Sequence, residues 1–446
     1  MAAPSPPPPA GLQLRRVITT WWPLALSWGM MGLEQPLVSA AVARLPDPAV
    51  QLAAWGSFAF PLALVVEAPI IMLLAASTEL SRDQASYRSL RRVAHGLGLG
   101  LTLLHLLVVV TPVFDWLAAT VLELPAAVRE PAREGLLLLL PWTWSIASRR
   151  FHQGALIRHG RSRAVGWGTG LRLLVASSVL GLGLLLGGRG GGDPWLLGVT
   201  GVRVAAVALS CGVLAEAVFA AIAVRSVHRA LPPPDPERPP LRGAAFWRFY
   251  VPLAMTPLVT LVILPVGTAA VARMPDPLAS LAVWPVANAL VWVLQALGIA
   301  LNEVVVALLD EPGAGPPLRR FTFVLAAGVT GLLGVLSLPP VADAWFSGVA
   351  GLLPPLAAMG TATLWLALPI PAMRVIQSWY QGLLVNARRT RGITEAVVVF
   401  GGTCSGVLLL GVYAARWDGL PVMLVAYSLG RILQTAWLWW RASRIQ

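Results

Sequence analysis

Sixteen residues, AAVARLPDPAVQLAAW from Ala40 to Trp55, return as AAVARMPDPLASLAVW from Ala269 to Trp284, with eleven positions identical at a constant offset of 229. A repeat of this kind constrains the fold more than any local signal, because each copy must be one unit of a larger architecture. The register extends backwards, where Pro23-Leu24-Ala25 meets Pro252-Leu253-Ala254. Downstream, Gln153-Gly154, Arg161 and Arg163 meet Gln381-Gly382, Arg389 and Arg391 at an offset of 228, as Pro141 meets Pro369. One slip of a single residue leaves two collinear halves. The chain is a duplicated unit.

The solvent for these halves follows from composition. A hydrophobic share of 57%, a charged share of 12% and a mean hydropathy of +0.73 depart far from soluble domains, in which roughly 25% of residues are charged. The chain belongs in a bilayer. All 33 basic residues are arginine. Lacking lysine, the chain has neither the Walker A residue nor a Schiff-base amine. The net charge of +13 would point to nucleic acid in a soluble protein, but here the arginines flank apolar spans. No nucleic-acid partner is expected. Cys211 and Cys404 lie in apolar stretches as small core residues, and no HExxH or ligand cluster points to a metal. No cofactor is expected.

Residues 1–16 open with MAAPSPPPPAG, read as a disordered tail. Apolar spans then recur at 17–42, 50–79, 93–113, 135–157, 164–187 and 195–224, and again at 249–272, 278–308, 321–341, 355–384, 393–414 and 419–440. The expected fold is an all-α membrane protein of 12 transmembrane helices in two parallel six-helix repeats. The N-lobe covers 17–230, a proline-rich cytoplasmic linker 231–248 and the C-lobe 249–446. Between the spans and at their ends, 23 arginines, Arg149 and Arg150 among them, fall on one side and six (Arg44, Arg129, Arg133, Arg189, Arg273, Arg416) on the other. The positive-inside rule then puts both termini in the cytoplasm. The repeated R-x-P-D-P lies in the first outer loop of each half. It reads as a turn capping the next helix with Asp47 or Asp276, or as a gate.

An ionisable side chain inside a span is costly and marks a functional candidate. Glu34 stands mid-span in GLEQP with no arginine inside its own span, and Ile263 takes its place in the second half. Desolvation would raise its pKa toward neutrality, suiting a coupling proton. The alternative is a carboxyl hydrogen-bonded to a neighbouring helix. Glu67, followed by Pro69, is the second ion-coupling candidate. Glu216 reads as a structural partner of Arg172 or Arg203. Arg374, after the kinking Pro369 and Pro371, is a natural anion clamp, and Gln377 and Gln381 share its face. Trp379 and Tyr380 read as interfacial anchors. Asn288, Gln295 and Asn302 recur every seven residues, lining a central cavity or tying helices together. Gln35 joins the candidate substrate contacts. The basic segments His152–Arg163 and Tyr380–Arg391 read as topogenic charge.

Several motifs resemble the multidrug and toxic compound extrusion (MATE) family: two six-span halves, a first span entering with Trp-Pro-Leu-Ala, and Q-G-x-L before basic residues. Within that superfamily the chain is most similar to the progressive ankylosis protein family. The residues carrying this are Trp22-Pro23-Leu24, Glu34-Gln35 and the ungapped run to Trp55-Gly56. So do His152, Gly154, Leu156, Arg158 and His159, then Arg320-Phe321-Thr322-Phe323-Val324, and Pro371 with Arg374. The resemblance implies alternating access around a central cavity, driven by protons or sodium. For MATE it implies export of organic cations and drugs, and for progressive ankylosis proteins export of pyrophosphate, nucleotides or citrate. The usual MATE acidic position falls near Val38, one turn beyond Glu34, which puts a standard sodium site in question. The expected protein is a monomeric secondary exporter of small solutes in the plasma (bacterial inner) membrane, and not an enzyme. A lipid-linked sugar flippase is the rival.

Overall fold

The computed structural model describes residues 14–187, 198–234, 236, 239–387, 389 and 391–444. Residues 1–13 of the expected tail, most charges of the linker, and Arg189, Arg238 and Arg388 of the arginine tally lie outside the described residues. The tail ends sooner than expected, because the first helix already begins at Leu14.

The first half comprises α1 (Leu14–Val42), α2 (Pro48–Leu80), α3 (Gln84–Val110), α4 (Ala126–Leu138, continued by Leu140–Arg158), α5 (Ser162–Gly187) and α6 (Gly201–Ala230). The second comprises α7 (Gly243–Leu261, continued by Ile263–Ala272), α8 (Pro277–Leu308), α9 (Gly315–Leu336), α10 (Pro354–Asn386), α11 (Arg391–Ala414) and α12 (Gly419–Ser443). Among the described residues there is no strand.

Eight of these helices (α2, α3, α5, α6, α8, α9, α10 and α11) are long and apolar enough to cross a membrane. Three of the other four carry polar residues inside the helix, Glu34 in α1, Arg149 and Arg150 in α4, and Arg431 with Gln434 in α12, and α7 is split at Val262 into two shorter helices. Helix α3 begins nine residues before its expected span because Asp83 caps it, accepting from the backbone N–H of Ala85 at 2.7 Å and of Ser86 at 2.9 Å. Its first turns are polar, so hydropathy alone could not see them.

The duplication survives in the irregularities. Helix α4 breaks at Leu139 ahead of Pro141, and α10 passes through a 3-10 turn at Leu364–Ala367 ahead of Pro369. Each proline lacks a donor and crowds the carbonyl one turn back, so the ladder must reset there. Wide π turns at Trp116–Val121 and Ala344–Val349 also occupy matching positions. The R-x-P-D-P loops are both turns, with Asp47 and Asp276 left-handed at φ 54° and 43° and a proline opening the next helix. The expected side-chain cap is absent at both, because that backbone leaves the carboxylate without a bond to the helix.

The halves meet at equivalent residues. A Cβ on Gly56 of α2 would lie 2.2 Å from Cβ of Pro285 of α8, and position 285 is position 56 shifted by the repeat offset. Only glycine permits that approach. Around it Ser57 donates to the Leu281 carbonyl at 2.5 Å, and Thr268 of α7 donates to the Ser57 carbonyl. Trp55, Phe58 and Trp284 share one apolar core across both halves.

Candidate functional site

Helices α1, α2, α4, α5 and α6 bring six charges into the interior of the first half. Glu34, 3% exposed, receives a two-pronged bond from the Arg172 guanidinium of α5, with Nε at 2.8 Å from Oε1 and Nη2 closing on Oε2. Glu216 of α6 is fully buried and accepts from Arg149 Nη1 at 2.7 Å, Gln153 Nε2 at 2.9 Å and the Thr169 hydroxyl at 3.3 Å. Arg172 Nη1 lies 3.8 Å from the same carboxylate, so it links Glu34 to Glu216. Glu67 of α2 is 4% exposed and feels Arg150, Arg149 and Arg172. Its Oε2 has no hydrogen-bond partner among the described residues. Three carboxylates face three guanidiniums, and the cluster is formally neutral. Charges desolvated this far persist only when paired and hydrogen-bonded.

Two expectations change here. Glu34, with no arginine in its own span, is nonetheless not unpaired: it is buried and turned into the first half, where Arg172 neutralises it. Arg149 and Arg150 do not lie at a water-facing end of their span: both stand well before α4 ends at Arg158, and Arg149 is 4% exposed inside the cluster. Glu216 does approach Arg172, but its main partner is Arg149, while Arg203 pairs with Glu134 at 2.6 Å.

The second half is built differently. Arg374 lies in the second turn of the helix restarted at Pro369, and its guanidinium has no hydrogen bond or ion pair among the described residues. The charged group acting on it is another arginine, Arg431 of α12. Arg431 bonds the Gln434 amide oxygen at 3.0 Å and lies 4.5 Å over the Phe400 ring. Its Nε has no partner among the described residues. Among the described residues no carboxylate acts on either guanidinium. The restarted helix adds its N-terminal partial charge to theirs.

The other expected contacts are distributed unevenly. Gln377 is fully buried and spends its amide N–H on the Arg431 carbonyl at 3.2 Å and the Thr435 hydroxyl at 3.0 Å, so it ties α10 to α12 instead of sharing a free face with Arg374. At the repeat offset its counterpart is Arg149, which ties α4 to α6 in the same way. Gln381, Asn288 and Gln35 are half-buried and Gln295 is buried. Asn302 donates to the Ser378 carbonyl at 3.3 Å, so that end of the polar stripe joins α8 to α10. Cys404 is a core residue, as expected.

Two arginines in the repeated loops reach across the halves. Arg44 donates to the carbonyls of Gly348 and Val349 at 2.8 Å each, and more weakly to Ala350. Arg273, its counterpart, donates to the Val121 carbonyl at 2.8 Å and to Glu123 at 2.9 Å. Val121 and Val349 are themselves equivalent positions. The far face is also bridged, by Arg16 to Glu311 at 2.7 Å and by the Tyr250 hydroxyl to the Pro69 carbonyl at 2.5 Å. Arg431 and the clasp carbonyls escaped sequence reading. Arg431 had the same signal as Arg374, an arginine inside an apolar helix, whereas the carbonyls had none.

No protein-family model and no curated protein matches the chain. Solved structures do. An inward-facing MATE-family multidrug resistance transporter of the MOP superfamily superposes with a TM-score of 0.66 at 16% identity, over 95% of this chain and 98% of that one. The lipid II flippase MurJ, in an inward closed conformation, gives 0.66 at 12% identity, over 96% and 87%. A MOP-superfamily transporter from Pyrococcus furiosus, described as having a binding pocket of reverse polarity, gives 0.64 at 14% identity, over 97% of each chain. The chain has the fold of these transporters.

Proposed function

We propose that the protein is a secondary active transporter moving small organic anions, of the pyrophosphate, nucleotide or citrate kind, by alternating access. In this reading twelve helices cross a plasma or bacterial inner membrane with both termini cytoplasmic, and lobes 17–230 and 249–446 rock about the Gly56–Pro285 crossing as a monomer. The reading rests on one observation: charge is balanced inside the first lobe and unbalanced inside the second, where among the described residues Arg374 and Arg431 have no carboxylate partner. An anion is the ligand that relieves such a pair. Cation export of the MATE kind would meet repulsion there. The equal likeness to a lipid II flippase favours a second cargo class, a lipid-linked anion held by the same arginines.

Coupling to a proton or sodium ion falls to Glu34 and Glu67. Glu67 keeps an unpartnered oxygen, and Glu34 transmits through Arg172 to the rest of the cluster. In proteoliposomes loaded with citrate or pyrophosphate, Glu67→Gln is expected to abolish gradient-driven accumulation while preserving downhill exchange. Accumulation equal to wild type would overturn the coupling role.

Arg44 and Arg273 serve as the outer gate, since opening that face must break both clasps. Replacing both by alanine in a chain with Cys211 and Cys404 also changed to alanine is expected to speed maleimide labelling of Thr268→Cys severalfold. Thr268 is 2% exposed against Ser57. Unchanged labelling would mean that the clasps do not gate.

A further inference from the structure

A cavity of about 520 Å³ lies outside the charge cluster and away from Arg374, at the arginine-rich ends of α3, α4 and α6. Helix α3 supplies Arg91 and His95, one turn apart, α4 supplies His152, and α6 supplies Arg225, His228 and Arg229. Tyr87, a further turn back on α3, anchors the wall against Phe151 at 4.9 Å and His228 at 5.0 Å. The His95 ring stacks on Trp144 at 5.6 Å. Among the described residues the lining contains no Asp or Glu, and the guanidiniums of Arg91, Arg225 and Arg229 make no hydrogen bond or ion pair.

Charge that only sets topology need lie merely on the correct side of the membrane. It has no reason to converge. Arg88 and Arg92, on the same helix, stay out of this wall. Three guanidiniums around one concavity repel each other unless an anion sits between them. Phosphate oxygens match the guanidinium fork, and histidine N–H and tyrosine O–H groups donate as well. The volume is that of a small-molecule site, roomier than a bare phosphate needs. We propose that this cavity is a second anion site, separate from the transport pathway, which binds a phosphomonoester. That group can arrive on an anionic lipid headgroup or on a free metabolite.

Glycerol 3-phosphate and phosphatidic acid present the same headgroup from the two sources. The full chain in detergent is titrated with glycerol 3-phosphate by calorimetry. Its melting temperature is then followed in phosphatidylcholine nanodiscs with and without phosphatidic acid. Arg225 and Arg229 are exposed at a helix end, so an Arg225→Ala/Arg229→Ala chain should fold, and Arg91→Ala probes the opposite wall. Both are expected to weaken binding about tenfold or more, while Arg319→Ala/Arg320→Ala, an exposed pair elsewhere, leaves it unchanged. Binding of glycerol 3-phosphate supports the site with a free ester as ligand, and stabilisation by phosphatidic acid alone supports it with a headgroup. The proposal is overturned if neither probe distinguishes wild type from the cavity variants. It is equally overturned if binding is lost in Arg374→Ala and kept in the cavity variants.

Discussion

An Arg374→Ala chain in proteoliposomes is expected to move citrate or pyrophosphate at least about tenfold more slowly than wild type, the effect of losing one desolvated charge-assisted contact. Arg374→Lys should restore only part of the rate, because an ammonium is a point charge that cannot offer the two parallel donors of a guanidinium. An arginine at the centre of a membrane helix costs about 2.5–3.5 kcal/mol on insertion scales, and here Arg431 acts on a second such group, Arg374, with no carboxylate acting on either among the described residues. An entering anion removes that repulsion as it binds. A neutral or cationic solute removes nothing, so Arg374→Ala should leave transport of such solutes unimpaired or improved. Equal anion transport by Arg374→Ala and wild type would end the anion reading.

The Arg431→Ala chain separates charge from contact. Arg431 is already held by Gln434 and stacked on Phe400, so its guanidinium acts on Arg374 as a fixed positive field. Its loss should weaken anion transport less than loss of Arg374 itself.

What the sequence disclosed follows from what is local. The apolar runs and the prolines ahead of which α4 and α10 break are written in neighbouring residues, and the structure has helices there, eight of them long and apolar enough to cross a membrane. Glu34 announced itself as a buried ionisable group, but its partner Arg172 lies 138 positions away, and no spacing rule connects the two. Arg149 and Arg150 were misread because they stand near the expected end of their span, where arginine ordinarily meets water. Gln377 satisfied the helical spacing with Arg374 and still turned toward α12. Periodicity fixes a face and says nothing about which neighbour covers it. The cavity beside Tyr87 was spelled out as Tyr-x3-Arg-x3-His on α3 and Arg-x2-His-Arg on α6. Only the packing of those helices makes two basic stripes into one concavity.

Glu216→Ala is expected to destabilise the fold by about 3–5 kcal/mol, the range for removing one partner of a buried pair. Glu134→Ala should change it by about 0–1 kcal/mol, since the Arg203–Glu134 pair is partly exposed, at 41% and 30%. The contrast arises because Glu216 is the acceptor for Arg149, Gln153 and Thr169 together. Without it Arg149 remains in the interior, 4% exposed, with no counter-charge in contact. Denaturation in mixed micelles of rising dodecyl sulfate content reads both variants on one scale. A chain carrying Glu216→Leu together with Arg149→Met should recover much of the loss, because an apolar pair of similar volume imposes no desolvation. Such a chain would test whether the pair does more than hold α4 to α6. If it folds well yet transports without accumulating solute, Glu216 also relays charge from Arg172. If it transports as wild type does, the pair is a strut, and coupling lies with Glu67 and Glu34. If Glu216→Ala and Glu134→Ala prove equally mild, the described cluster is not the desolvated network its geometry implies.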